Sequence, residues 1–119
     1  IACSGLMEYV EQGILRGPEV EGYLLDKLEP YLKVPIDAVV LGCTHYPFLR
    51  GAIRRIVGRR PEIIDGSFGI AKHLHRRLEE QQLLNPGPDA GSVSFQNSLD
   101  EPEMLELMQA LFSYEDETP

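Results

Sequence analysis

Asp37-Ala-Val-Val-Leu-Gly-Cys-Thr-His-Tyr-Pro47 is the stretch on which the fold turns. Asp37 to Leu41 is a short, continuous apolar run with β-branched residues, the pattern of a strand buried in a parallel sheet. Gly42 allows a tight turn and close approach of a ligand to the backbone. Pro47 suits the first turn of a helix expected over Phe48–Val57, with Gly58 past its end. Cys43 therefore falls at the carboxyl end of a strand, where open α/β sheets place ligands. The free N–H groups and dipole of the following helix favour an anion there, whether a substrate carboxylate or the thiolate of Cys43. His45, two residues on, can donate a hydrogen bond or exchange a proton.

Outward from this stretch, elements alternate. Gly5 to Glu11 carries Leu6, Met7 and Val10 at helical spacing, and Gly13 fits a helix stop. Pro18, followed by Glu19 and Glu21, signals a second helix start. Leu24, Leu25, Leu28 and Leu32 mark its apolar face, and Pro30 bends or ends it. Glu62-Ile-Ile64 is a second short strand. Phe68–Glu80 is a helix with Ile70, Leu74 and Leu78 on one face. Asn85 to Gly91 is a Pro/Gly-rich loop. Val93 to Gln96 is expected as a third strand, Glu101–Phe112 as a last helix with Leu105, Met108 and Phe112 inward, and 115–119 as a frayed acidic tail. Strands alternating with helices give an α/β fold, parallel-sheet layers with flanking helices.

The chain of 119 residues suits one domain of ordinary size, and 43% apolar residues can supply a packed core. A net charge of -8 argues against general nucleic-acid or membrane-surface binding. The arginines from Arg50 to Arg60 are expected on a solvated helix flank. Two cysteines without CxxC spacing give neither a disulfide scaffold nor a metal site, and point to reduced thiols in the cytoplasm. No run of about 18 apolar residues predicts a membrane span, and no export leader is visible. Ile1-Ala2-Cys3 reads as the tail of a strand, as though the chain were a fragment.

Leu41-Gly-Cys-Thr-His-Tyr-Pro47 resembles the second cysteine motif of glutamate racemases, in the aspartate/glutamate racemase family. Aspartate racemases share the Gly-Cys-Thr turn but usually carry an acid where His45 stands. Ala2-Cys3 with Val10-Glu-Gln-Gly13 looks like the family's Ala-Cys-Pro segment, and Leu83-Leu84-Asn85 like its Leu-Leu-Asn helix ending. The resemblance is closest at 38–49, looser at 1–13 and 62–85, and weak after 91. Ser4 stands where proline is usual, and Phe95-Gln-Asn-Ser98 replaces a Thr/Ser-Gly stretch. The family's Asp-Ser-Gly and Ala-Cys-Asn-Thr motifs do not occur in these residues.

The resemblance implies a partial two-lobed racemase fold. Residues 1–65 would belong to the lobe carrying the second catalytic cysteine, and 66–119 would return to the first lobe. It implies interconversion of L- and D-glutamate for peptidoglycan by two thiols, one on each face of Cα, with no pyridoxal cofactor and no metal. A thiol suits this task because its pKa can be tuned towards neutrality. Cys43, His45 and Glu11 would be catalytic, with Gly42, Thr44 and His45 holding the substrate. Glutamate would be the small-molecule partner, with neither nucleic acid nor membrane, and a homodimer is open for the full-length enzyme. Without the first motif, the chain alone is expected to be inactive. From the residues themselves, Thr44 serves equally as a helix cap and Glu11 as a solvated acid. Cys3 is read as packing, and His73 and His75 as surface residues. Two other functions compete: a Cys43/His45 hydrolase or transferase, whose orienting group and oxyanion pocket the sequence does not identify, and a non-catalytic carboxylate-binding module.

Overall fold

The computed structural model describes residues 1–88, 91–99 and 101–115. Its elements follow the order α1 (Leu6–Glu11), α2 (Pro18–Leu28), β1 (Ala38–Val40), α3 (Arg50–Val57), β2 (Glu62–Ile64), α4 (Ser67–Glu80) and α5 (Pro102–Phe112), with a 3₁₀ turn at Tyr46–Leu49 leading into α3. The fold is α/β: helices flank a small sheet in which β1 and β2 run parallel, pairing Ala38 with Glu62, Val39 with Ile63 and Val40 with Ile64. Gly5 and Gly13 bracket α1 with φ of 87° and 72°, a left-handed backbone that glycine adopts without steric cost. Pro18 opens α2, where its missing N–H costs nothing.

The core lies entirely between residues 6 and 63. Leu6 and Val10 of α1, Val20, Leu24 and Leu28 of α2, Leu41, Leu49, Ala52, Ile53 and Ile63 form one buried cluster. The arginine-rich α3 is tied down on both sides. Arg55 pairs with Glu21 of α2 at 2.9 Å, and Arg54 donates to the carbonyls of Gly58 and Pro61. Arg60 lies 3.4 Å from Asp37. Arg55, Arg59 and Arg60 are exposed, as expected of a solvated flank, even where they reach a partner, while Arg50 and Arg54 are half-buried and correct that expectation.

Several expectations change. Of the run expected to be a buried strand, only Leu41 is buried: β1 is three residues long, Val39 is half-buried, and Val40, 72% exposed, has nothing covering its side of the sheet among the described residues. Leu25 points outward, since a helix that buries Leu24 and Leu28 turns the residue between them away. α4 forms as expected, yet Ile70 and Leu74 stay exposed and nothing in the helix is buried. No strand forms over Val93–Gln96, since a strand needs a ladder partner and none reaches it among the described residues. In α5, Leu105 and Met108 are half-buried, but Phe112 is exposed and meets Phe95 edge-on at 5.5 Å between ring centres. Leu111 instead packs on the core, and a side chain added at Gly13 would meet Leu107. Residues 89–90 of the Pro/Gly loop and 116–119 of the acidic tail lie outside the described residues.

Candidate active site

Leu41 closes the β1–β2 ladder: its N–H donates to the Ile64 carbonyl at 2.8 Å. The chain then leaves the sheet through Gly42, Cys43 and Thr44. Gly42 is exposed and does not have positive φ, so the turn does not require glycine. A methyl group built there would meet nothing within 4 Å, which leaves open space beside the backbone. The next two bonds are tight: Tyr46 N–H to the Cys43 carbonyl at 3.2 Å and Phe48 N–H to the His45 carbonyl at 3.2 Å. They form the 3₁₀ turn, and the α-helix starts only at Arg50. The expected helix start at Phe48 is therefore displaced. Pro47 has no N–H to donate, and the α-helical amides lie further from Cys43 than the spacing suggested.

Cys43, half-buried, has its Sγ 3.8 Å from His45 Nδ1. The other ring nitrogen of His45, Nε2, lies 3.6 Å from Glu11 Oε1. Thiol, imidazole and carboxylate thus form a line, with the His45 side chain 31% exposed and that of Glu11 49%. Glu11 reaches the line because it ends α1, which Leu6 and Val10 fix in the core. The ring can give or take a proton at sulfur, and Glu11, at 3.6 Å, is a neighbouring charge rather than a hydrogen-bond partner. Gly42 and Thr44, both exposed, flank Cys43 in the chain, while Cys43, His45 and Glu11 are brought together by contact.

Two tyrosines that the sequence did not single out support this face. Tyr46 donates from its hydroxyl to the Cys3 carbonyl at 3.3 Å, and Tyr23 to the Ser4 carbonyl at 2.7 Å. Burial raises the pKa of both hydroxyls; at Tyr46 the nearby thiols Cys3 and then Cys43 add to the effect. Both therefore stay neutral donors and pin residues 3 and 4 against the site. Cys3 itself packs on the core edge, and both cysteines are free. His73 and His75 are exposed on α4. An open cavity of about 700 Å³ adjoins Gly42 and Cys43. Its other walls are mainly aliphatic, including Leu24, Leu28, Val39 and Ile53, and the open side of β1 borders it.

No family model matches the chain. It is similar to the glutamate racemase of Clostridium perfringens (strain ATCC 13124), 43% identical over 111 residues, covering 93% of this chain and 43% of that protein. The glutamate racemase of Clostridium novyi (strain NT) is 46% identical over 105 residues, 88% of this chain and 40% of the relative. Among solved structures, the Thermus thermophilus glutamate racemase in complex with beta-chloro-D-alanine superposes with a TM-score of 0.71 at 30% identity, over 95% of this chain and 43% of that one. The Francisella tularensis glutamate racemase in complex with D-glutamate gives a TM-score of 0.63 at 33% identity, over 71% and 32%. The chain thus spans less than half the length of the curated relatives it matches.

Proposed function

Starting from a chain homologous, over nearly all its length, to part of the glutamate racemases, we propose that it supplies one wall of an amino-acid racemase site, with Cys43 as one of two acid–base groups. The intact protein would interconvert L- and D-glutamate without a cofactor, in the cytoplasm, for peptidoglycan synthesis. Support for the substrate comes from the Francisella tularensis relative, which holds D-glutamate. On this reading Cys43 takes the Cα proton as a thiolate, forming S–H as the C–H bond breaks. The electron pair delocalises towards the substrate carboxylate, and a second group on the opposite face returns a proton to Cα. The second group ends the step deprotonated. Exchange with water then takes the proton from the Cys43 thiol and returns one to the second group before the next turnover, while the reverse reaction starts from the state in which Cys43 is the thiol.

The observation that carries this reading is the line from Cys43 through His45 to Glu11 at the carboxyl end of a parallel strand. His45 steadies the charge on sulfur, and Glu11 is a neighbouring charge beside His45. Gly42 and Thr44 would receive the substrate carboxylate, with Gly42 leaving room for close approach. We read residues 1–65 as part of the lobe carrying Cys43 and 66–119 as the segment returning to another lobe. That division is supported by a core confined to residues 6–63 and by an α4 that buries nothing.

The test is loss of optical rotation of L-glutamate, measured on the longer protein that contains this chain. Cys43→Ala should lower turnover by about 10²-fold or more, the contribution of one positioned acid–base group. Full activity in that variant would sink the assignment. The 119-residue chain alone should show no measurable turnover, because only one acid–base group of the pair is recognisable in it. A second reading gains from Glu11: a thiol hydrolase needs a third group to orient its histidine, and Glu11 stands where that group would. It predicts an acyl-enzyme burst with activated esters, which a racemase would not give.

A further inference from the structure

The loop that carries Cys43 and His45 is closed at both ends on the same short piece of β2. At one end, Leu41 N–H donates to the Ile64 carbonyl at 2.8 Å. At the other, Arg50 Nη1 donates to the neighbouring Ile63 carbonyl at 2.7 Å. The second arm of the Arg50 guanidinium pairs with Asp65 Oδ2. The other oxygen of Asp65 accepts the Ser67 N–H at 2.8 Å, at the start of α4. Residues 42–49 therefore leave and rejoin the sheet within three consecutive residues, Ile63 to Asp65.

We infer that Arg50, held by Asp65, is a positioning residue for the Cys43 loop. The inference rests on the reading of Cys43 as the reacting thiol. The loop is also held by the backbone hydrogen bond at Leu41, by the fully buried Leu49, by Tyr46 and Phe48 against the core edge and by the Tyr46 hydroxyl on the Cys3 carbonyl. Of the contacts from β2 and the residue after it, those to Arg50 are made where the 3₁₀ turn passes into α3. Arg50 positions the chain there because its planar fork engages two acceptors from fixed angles at once, a carbonyl and a carboxylate. Asp65 is the anchor. Its side chain is only 12% exposed, and it is restrained from the opposite side by Ser67. Cys43 and His45 sit inside the closed segment, so a change in how α3 begins is passed to the 3.8 Å separation between sulfur and imidazole. A shift of about 1 Å at a reacting group can cost on the order of 10²-fold in rate.

The experiment uses the 119-residue chain, with Cys3 as an internal reference. Alkylation of each cysteine by iodoacetamide is followed at one fixed neutral pH by peptide mass spectrometry. Parent, Arg50→Met, Arg50→Lys and Asp65→Asn are compared, with the ring ¹⁵N signals of His45 recorded for each. Arg50→Met should slow Cys43 relative to Cys3 by roughly tenfold and shift the His45 signals. Arg50→Lys keeps the charge but offers one point of contact, so it should recover part of the ratio and of the shift. Asp65→Asn should fall between the parent and Arg50→Met. A Cys43:Cys3 ratio within about twofold of the parent in Arg50→Met, or both rates moving together in the folded variants, would overturn the inference. Should Arg50→Met unfold, the Arg50→Lys and Asp65→Asn ratios decide on the same scale. Glutamate racemisation is not part of this readout, so the racemase reading and the positioning role can fail separately.

Discussion

Residues 1–65 and 66–115 are built from similar material and end in opposite states. Both contain helices with apolar residues at helical spacing. In the first region α1, α2 and α3 bury Leu6, Val10, Val20, Leu24, Leu28, Ala52 and Ile53 against one another and the sheet. In the second, α4 leaves Phe68 79%, Ile70 69% and Leu74 57% exposed. Amphipathic spacing thus predicts that a helix forms and which face it would bury, while burial depends on whether a second surface is there to meet it. The first region has such surfaces within 60 residues of sequence, and the second meets that core at Leu111.

The sharpest way to break this contrast is a matched pair of truncations. Leu49→Ala removes a side chain with no exposure and should cost about 2–5 kcal/mol in urea unfolding. Leu74→Ala, on the bare face of α4, should stay within about 0.5 kcal/mol. Equal losses at the two sites would show that α4 is covered in solution.

Asp65 joins the regions, so its titration sharpens the comparison. Its pKa is lowered chiefly by the hydrogen bonds from Ser67, backbone first, and then by Arg50, with burial working against them. A carboxyl whose folded pKa is depressed contributes stability that is fully present above its ordinary value. That stability is lost as pH falls through the folded value. Thermal melts should therefore show the parent losing stability on acidification faster than Asp65→Asn, which at neutral pH should be weaker by about 1–2 kcal/mol. Parallel acid profiles for the two proteins would remove Asp65 from the junction.

Smaller still is a glycine pair. Gly13→Ala places a side chain at φ 72° and should cost about 1 kcal/mol. Gly42→Ala enters open space at ordinary φ and should leave unfolding unchanged within about 0.5 kcal/mol. If Gly42 serves substrate approach, the same change should raise KM in the longer protein. A destabilised Gly42→Ala chain would mean that the loop is packed more tightly than its geometry indicates.

What the sequence made legible follows the same division. Glu62–Ile64 and the start of α2 at Pro18 were readable because their signals are local: a β-branched pair, and a ring that fits the first turn of a helix. The Cys43 turn was readable as a whole motif, and the likeness to glutamate racemases over most of the chain came from it. The third strand at Val93–Gln96 was not readable correctly, since suitable residues form a strand only beside a partner. Arg50 was read as one of several solvated arginines. Its partner Asp65 lies 15 residues away, and only the return of the chain through α3 brings them together. Tyr46 and Tyr23 were missed as supports for the same reason: their acceptors, Cys3 and Ser4, are 43 and 19 residues distant.

The open side of β1 has a consequence for how this chain behaves in a test tube. Amide and carbonyl groups along an unpaired strand can accept another strand as readily as β1 accepts β2, and Val40 offers an apolar surface beside them. Two copies approaching by that side also bring together two bodies of charge -8. Their repulsion reaches about 30 Å at 0.01 M salt and only about 8 Å at physiological ionic strength. Dilute buffer should therefore keep the chain dispersed. Added salt should draw it into larger particles, visible as a rise in scattered light that reverses on dialysis.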